Sequence, residues 1–171
     1  MKLTEPIYLI GASIGGTIVA LFTIKYPEYI SMICLLAPPP IKRYESDLIR
    51  QIHSGMDHIL LPATTKEFYD MVNLLTVKKV DEPKAFLDKY FKSRLRVREQ
   101  QRQILQSFLE YEYFNLEQYY EQLKTTQCSA LILWGRQDQV CVIVRERKCN
   151  VFLIFKLFSY VKLKLLIIFP I

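Results

Sequence analysis

Histidine is scarce in this chain: His53 and His58 are the only two among 171 residues. Any chemistry that needs an imidazole late in the sequence therefore has none there. Cysteine is also sparse, and Cys34, Cys128, Cys141 and Cys149 lack the paired close spacing of a zinc site. No metal and no cofactor is expected. Cys34 sits inside an apolar run and reads as a small hydrophobe, with a reducing compartment as the default. Residues 1–20 show neither a charged leader nor a cleavage site, so no signal peptide is expected. No internal repeat occurs, and no aromatic-interleaved basic motif, which argues against a nucleic-acid partner. Acidic residues are the minority, 17 against 23 Lys and Arg, for a formal charge of +6. The excess is concentrated at residues 77–102, with nine basic residues against four acidic. That stretch could suit an anionic lipid surface, although a solvated helical face is the commoner reason for such a run.

What is present begins with a turn. Gly11-Ala12-Ser13-Ile14-Gly15-Gly16 lies between an apolar strand expected at Ile7–Ile10 and an apolar helix expected at Ile18–Ile24, stopping near Pro27. A Gly-x-Ser-x-Gly pentapeptide at a strand-to-helix junction is a nucleophile elbow. Small flanking residues let strand and helix approach, and the following helix N-terminus offers free N–H groups where an oxyanion would form. The turn points to acyl transfer to water. A rival reading is the phosphate-binding turn of short-chain dehydrogenases, helped by the Tyr120-x-x-x-Lys124 spacing. Against it, Thr17 stands where that fingerprint needs its last glycine. The next strand, Ser31–Leu36, also runs into Ala37-Pro38-Pro39-Pro40 with no charged residue to meet a ribose. Tyr120 and Lys124 read instead as a solvated helix pair.

At 171 residues and 51% hydrophobic content the chain can build one domain with a real core. Its organisation reads as residues 1–40 forming a core half around the elbow, residues 41–127 a helical cap, residues 128–140 a further core strand and loop, and residues 141–171 a divergent apolar tail. Thr64-Thr65-Lys66-Glu67 is a capping box opening a helix through Leu75, with Phe68, Met71, Val72 and Leu75 on one face. Pro83 suits a first helical turn. Helical periodicity resumes at Phe86, Tyr90 and Phe91, again at Ile104, Leu105, Phe108 and Leu109, and a last helix is expected at about Asn115–Leu123. Residues 130–135 read as a buried strand. The loop after it carries Asp138 three residues beyond Gly135, a spacing that by itself reads as an ordinary turn; downstream of the serine elbow, in this chain order, it suits a triad carboxylate that would orient an imidazole.

With both motifs in place, the chain resembles the monoacylglycerol lipase branch of the α/β-hydrolase domain proteins. The matching stretches are YLIGASIGG at 8–16, ISMICLLAPP at 30–39, LLPATTKEFYDMVNLL at 60–75 and LILWGRQDQV at 131–140. The resemblance covers about Glu5 to Cys141. It implies an α/β fold, here a partial, mostly parallel sheet with an inserted helical cap. It implies Ser13 as nucleophile, Asp138 as triad acid, and the Ile14 backbone N–H as an oxyanion donor. The implied substrate is an acyl ester of glycerol or a similar lipid, met at a membrane surface or in the cytoplasm. Capped hydrolases that cut carbon–carbon bonds of ring-fission products share the same motifs.

The departures are equally specific. The family's histidine follows its acid, whereas this chain has no histidine after Asp138, and His53 and His58 read as ordinary cap residues. The His-Gly loop that carries the second oxyanion donor would precede the elbow, and only six residues precede the first strand. The expectation is a hydrolase truncated at both ends and inactive as it stands; the alternative is a non-catalytic lipid- or partner-binding relative. From Val142 the sequence no longer follows the family. Residues 151–171 hold 15 strongly apolar side chains and three lysines, which leaves membrane insertion near balance. Val161–Ile168 could serve as a substitute strand. The favoured reading is that the tail is unrelated sequence joined by altered splicing.

Overall fold

The computed structural model describes residues 5–76, 82–135 and 138–141, together with the backbone of 165–168. The expectations for Cys149 and for most of the tail lie outside those residues. The central feature is a parallel sheet. Strand β1 spans Ile7–Ala12, β2 Ile30–Leu36, β3 Ser129–Leu133 and β4 Leu165–Ile168, in the spatial order β3-β2-β1-β4. The register places Ile10 beside Cys34, and Cys34 beside Leu131. β4 pairs with β1 from Tyr8–Leu165 to Gly11–Ile168, within the stretch that the sequence offered as a substitute strand.

Parallel strands need crossover connections, and from β1 to β2 and from β2 to β3 the sequence supplies them as helices. Helix α1 (Ile14–Lys25) links β1 to β2 and packs on the sheet with α6 (Leu116–Thr125). Leu9, Val19, Ile30, Ile33 and Leu35 form the buried centre of that layer, flanked by Phe22, Leu123 and Ile132. Cys34 is buried, as expected, and burial pushes its thiol pKa up. α1 begins four residues earlier than the apolar run suggested. Its first turn holds Gly15 and Gly16, which hydrophobic periodicity does not score, yet first-turn N–H groups need no intrahelical acceptor and tolerate such residues. It ends at Lys25, where the Tyr26 N–H closes on the Phe22 carbonyl before Pro27.

Between β2 and β3 the described residues form no strand: the chain holds α2 (Asp47–His53), α3 (Thr65–Leu75), α4 (Lys84–Arg96), α5 (Arg98–Ser107), a π-helical turn at Phe108–Glu112, α6, and short 3-10 turns at Lys42–Tyr44, Asp57–Ile59 and Tyr113–Asn115. The capping box at the head of α3 is complete, with the Glu67 N–H on the Thr64 hydroxyl and the Glu67 carboxylate accepting from the Thr64 N–H. Those backbone bonds, the Ala63 N–H above all, hold the Glu67 carboxyl pKa below its ordinary value. Phe68 and Met71 meet Leu87 and Phe91 of α4 in a buried cluster, with Phe68 and Phe91 stacked at 5.0 Å.

Three expectations change here. Phe86 and Tyr90 leave the α4 core stripe, and Leu87 takes their place beside Phe91; Phe86 is 58% exposed. The basic run is not only a solvated face. Arg94, Arg98 and Arg102, four residues apart, all reach the 57–61 segment: Arg94 Nη2 to the Leu60 carbonyl at 3.3 Å, Arg98 Nε to the Leu61 carbonyl at 2.9 Å, and Arg102 Nε to the Asp57 carboxylate at 3.0 Å. Tyr120 and Lys124 also part ways. Lys124 is exposed and pairs with Glu121, while the half-buried Tyr120 donates its hydroxyl to the Pro39 carbonyl at 2.8 Å. Burial pushes the Tyr120 pKa up, so the hydroxyl stays a donor.

Candidate functional site

Ser13 occupies the single residue between β1 and α1, at φ 51° and ψ −126°. Backbone in this region is ordinary for glycine and costly for any residue with a Cβ. Two hydrogen bonds hold it there: the Ser13 N–H donates to the Leu36 carbonyl at 2.9 Å, and the Ser13 carbonyl accepts from the Gly16 N–H at 2.8 Å. The serine side chain makes no capping bond to α1. Gly11 explains how the turn closes. A Cβ built there would lie 2.2 Å from the Gly15 carbonyl oxygen and 2.5 Å from its carbon, so strand and helix touch backbone to backbone. Ile14 opens α1, and the first N–H groups of a helix lack intrahelical acceptors and carry its positive dipole end.

β2 ends in a second strained residue. Ala37 has φ 43°, and its N–H donates to the Leu133 carbonyl at 2.8 Å. β3 then leads into the loop of Asp138. There the carboxylate Oδ1 accepts from the Val140 N–H at 3.0 Å and the Cys141 N–H at 2.9 Å, and the Asp138 N–H donates to the Gly135 carbonyl. The loop is tied at two further points. The Trp134 indole N–H donates to the Cys141 carbonyl, and the Ser46 hydroxyl, which also caps α2 by accepting from the Ile49 N–H, donates to the Val140 carbonyl at 2.7 Å. Burial first, and the nearby Asp138 carboxylate second, push the Cys141 thiol up to about 12.

Ser13, Ile14 and Asp138 line one cavity of about 970 Å³. Much of its remaining wall is apolar and comes from the helical segment, Leu60, Leu61, Met71, Leu75 and Ile104 among it, and the rest from the strand ends, α1 and the Asp138 loop. This accounts for large apolar side chains that the helices leave exposed. Ile18, Leu75, Tyr90 and Ile104 all face the cavity, and Leu75, expected on the core face of α3, is one of them. Arg94, Gln101 and Cys141 also contribute to the wall, and the sequence pattern had not singled out any of the three. Arg94 carried a usable signal in the four-residue spacing of its arginine stripe.

The two histidines stand elsewhere. His53 pairs through Nδ1 with the Glu45 carboxylate at 3.1 Å and sits edge-on against Tyr113 with ring centroids 4.7 Å apart. His58 lies in the turn Asp57–Ile59. Neither lines the cavity that Ser13 and Asp138 share. No cluster of His, Cys, Asp or Glu suited to a metal occurs among the described residues. Among them, too, no helix is long and apolar enough to cross a membrane.

Comparison with known proteins gives a consistent picture. Residues 3–154 match the family described as alpha/beta hydrolase fold. Monoacylglycerol lipase abhd6-B of Xenopus laevis is 25% identical over 143 residues, which are 80% of this chain and 42% of that protein. Monoacylglycerol lipase ABHD6 of Homo sapiens is 27% identical over 146 residues, again 80% of this chain and 42% of the relative. A solved membrane phospholipase A, a bacterial virulence factor, shares the fold with a TM-score of 0.71 at 21% identity, over 81% of this chain and 44% of that one. The chain spans less than half the length of the curated relatives it matches.

Proposed function

This chain belongs to the alpha/beta hydrolase fold family, and from that premise we propose that it carries the nucleophile and acid of a serine hydrolase site for lipid acyl esters, without the base. Ser13 is the nucleophile, Asp138 the acid, and the Ile14 N–H an oxyanion donor. The observation that carries the reading is the cavity: Ser13, in its strained φ-positive turn, and Asp138 open onto one apolar space under the helical segment. An acyl chain would lie against Leu60, Leu61, Met71, Leu75 and Ile104, with its ester carbonyl at Ser13. The helices of residues 41–127 act as the cap over that space. The similarity to monoacylglycerol lipases supports glycerol esters as the substrate class. A membrane surface fits such substrates, and the exposed Lys84, Phe86, Lys89 and Lys92 of α4 would suit one.

The reaction needs more than these groups. Ser13 Oγ would attack the ester carbonyl, and the developing oxyanion would gather at the α1 N-terminus. An imidazole held by Asp138 would take the serine proton and return it to the leaving alcohol. Within these 171 residues no histidine reaches that cavity. Loss of the triad histidine costs on the order of a million-fold in turnover, and loss of one oxyanion donor about a hundred- to a thousand-fold. The chain alone is therefore a lipid-binding half-site. The purified chain should bind a monoacylglycerol, fail to hydrolyse it, and leave Ser13 unlabelled by a fluorophosphonate probe. Labelling of Ser13 at the rate of an active serine esterase would overturn the missing base; no binding of any acyl ester would overturn the lipid site.

A further inference from the structure

The geometry points to Arg94 as an anion-recognising residue of the cavity, selecting acyl ligands that carry a phosphate or carboxylate beyond the ester. The inference rests on the reading of the cavity as an acyl-ester site. Its basis is the unequal use of three arginines in one stripe. Arg98 and Arg102 are each engaged in holding the 57–61 segment, at 2.9 Å and 3.0 Å, and neither lines the cavity. Arg94 does line it. Its own hold on the segment is the longer 3.3 Å bond from Nη2 to the Leu60 carbonyl. Nη1 reaches only the Tyr90 hydroxyl at 3.4 Å, and the guanidinium lies 5.9 Å from the Tyr90 ring centroid. Nε is buried with no hydrogen-bond partner, and no carboxylate among the described residues forms an ion pair with Arg94.

A guanidinium on an apolar wall, with an unpaired buried N–H and no counter-ion among the described residues, is unfavourable unless something else supplies the anion. Guanidinium matches phosphate and carboxylate in shape and can bind either through two N–H groups. The two terminal nitrogens are held only loosely, Nη1 at 3.4 Å from the Tyr90 hydroxyl and Nη2 at 3.3 Å from the Leu60 carbonyl, which leaves N–H groups of this cavity-lining residue for a ligand. An ester with its carbonyl at Ser13 and an anionic group farther along would then span both walls. A neutral monoacylglycerol would leave the charge unmatched.

The test is titration of the whole 171-residue chain with three esters of one acyl chain. They are a neutral monoacylglycerol, its phosphate (a lysophosphatidate) and its hemisuccinate, each kept below its micelle concentration. At least one anionic ester should bind about tenfold more tightly than the neutral one, the scale of a hydrogen bond to a charged group. Preference for the lysophosphatidate over the hemisuccinate would identify phosphate as the recognised group, and the reverse would identify carboxylate. Arg94→Gln should bring the three within about twofold of one another, and Arg94→Lys should keep part of the preference. Arg98→Gln removes a comparable tie to the same segment outside the cavity and should change nothing. If circular dichroism shows Arg94→Gln unfolded, Arg94→Met, which keeps the apolar stem, takes its place. Equal binding of the three esters by the native chain, or an undiminished preference in folded Arg94→Gln, would overturn the role of Arg94 while leaving the acyl site standing. Failure of all three to bind would overturn both.

Discussion

Replacing Ser13 with glycine should make this protein more stable while removing the nucleophile of its proposed chemistry. The reasoning starts at φ 51° and ψ −126°, a conformation that costs a residue with a Cβ about 1–3 kcal/mol and costs glycine almost nothing. The native side chain returns little, because its hydroxyl caps no N–H of α1. Against the gain stands the greater freedom of glycine in the unfolded chain, about 0.5–1 kcal/mol. The balance is a net stabilisation centred on about 1 kcal/mol, with an upper bound of about 2.5 kcal/mol, or roughly 2–4 °C in melting temperature for each kcal/mol in a chain of this size. Ser13→Ala is the matched control. It deletes the same hydroxyl but keeps the Cβ and the strain, so it should stay within about 0.5 kcal/mol of the native protein. Urea unfolding, followed by Trp134 fluorescence and by circular dichroism, measures both variants. A glycine variant no more stable than the alanine variant would refute the claim that strain is stored at the turn.

Gly11→Ala should act in the opposite direction. The new Cβ would meet backbone atoms of Gly15 at 2.2 and 2.5 Å, which no side-chain rotation relieves. A loss of about 3 kcal/mol or more is expected, read as a lower urea midpoint, and a variant within about 1 kcal/mol of native would contradict the close packing of β1 on α1. Cys141 gives a pH-dependent prediction. Its folded pKa is raised from 9.0 to about 12, so the neutral thiol favours the fold fully below about pH 9, and that contribution is lost as pH rises from about 9 towards 12. Cys141→Ala should flatten that alkaline decline in stability. At about pH 8 the Cys141 thiol should resist iodoacetamide and react only as fast as the chain unfolds; rapid labelling of Cys141 itself in the folded protein, located by peptide mass mapping, would show the burial to be wrong.

Much of this arrangement could be read from the residue order, and the reasons are local. β1, β2 and β3 are short apolar runs closed by glycine or proline, a pattern that has few other solutions. The α3 capping box carries its own geometry in four residues, and the structure reproduces both of its bonds. Periodicity served less well on the helices beside the cavity. Leu75, Tyr90 and Ile104 are apolar because they face an internal space, and a hydrophobic pattern cannot tell such a space from a packed core. The arginines failed for a different reason. Charge counting treats Arg94, Arg98 and Arg102 alike, whereas their roles depend on the carbonyls and the carboxylate of a turn more than thirty residues away. The backbone strain at Ala37 had no sequence signal, since alanine is not a residue that favours positive φ.

Ala37 also explains how the two halves of the site are joined. In a parallel sheet every strand delivers its C-terminal end to the same edge, and ligands gather there. Here β1 delivers Ser13, its neighbour β2 delivers Ala37, and β3 leads into the loop of Asp138. The ladder does not stop at the strand ends. It runs one bond farther on each side of β2, from the Ser13 N–H to the Leu36 carbonyl and from the Ala37 N–H to the Leu133 carbonyl. Both bonds originate at residues with positive φ, so the unfavourable conformations at Ser13 and Ala37 are held by the same continuation of the sheet. Position is thereby passed from the serine turn to the acid loop through β2, with no contact between the two side chains required. The strain at Ala37, a residue without chemistry of its own, then has a physical role: it turns the chain out of β2 while keeping the N–H that anchors β3. A serine and a carboxylate more than a hundred residues apart in sequence reach one cavity because the backbone between their strands is registered to the last hydrogen bond.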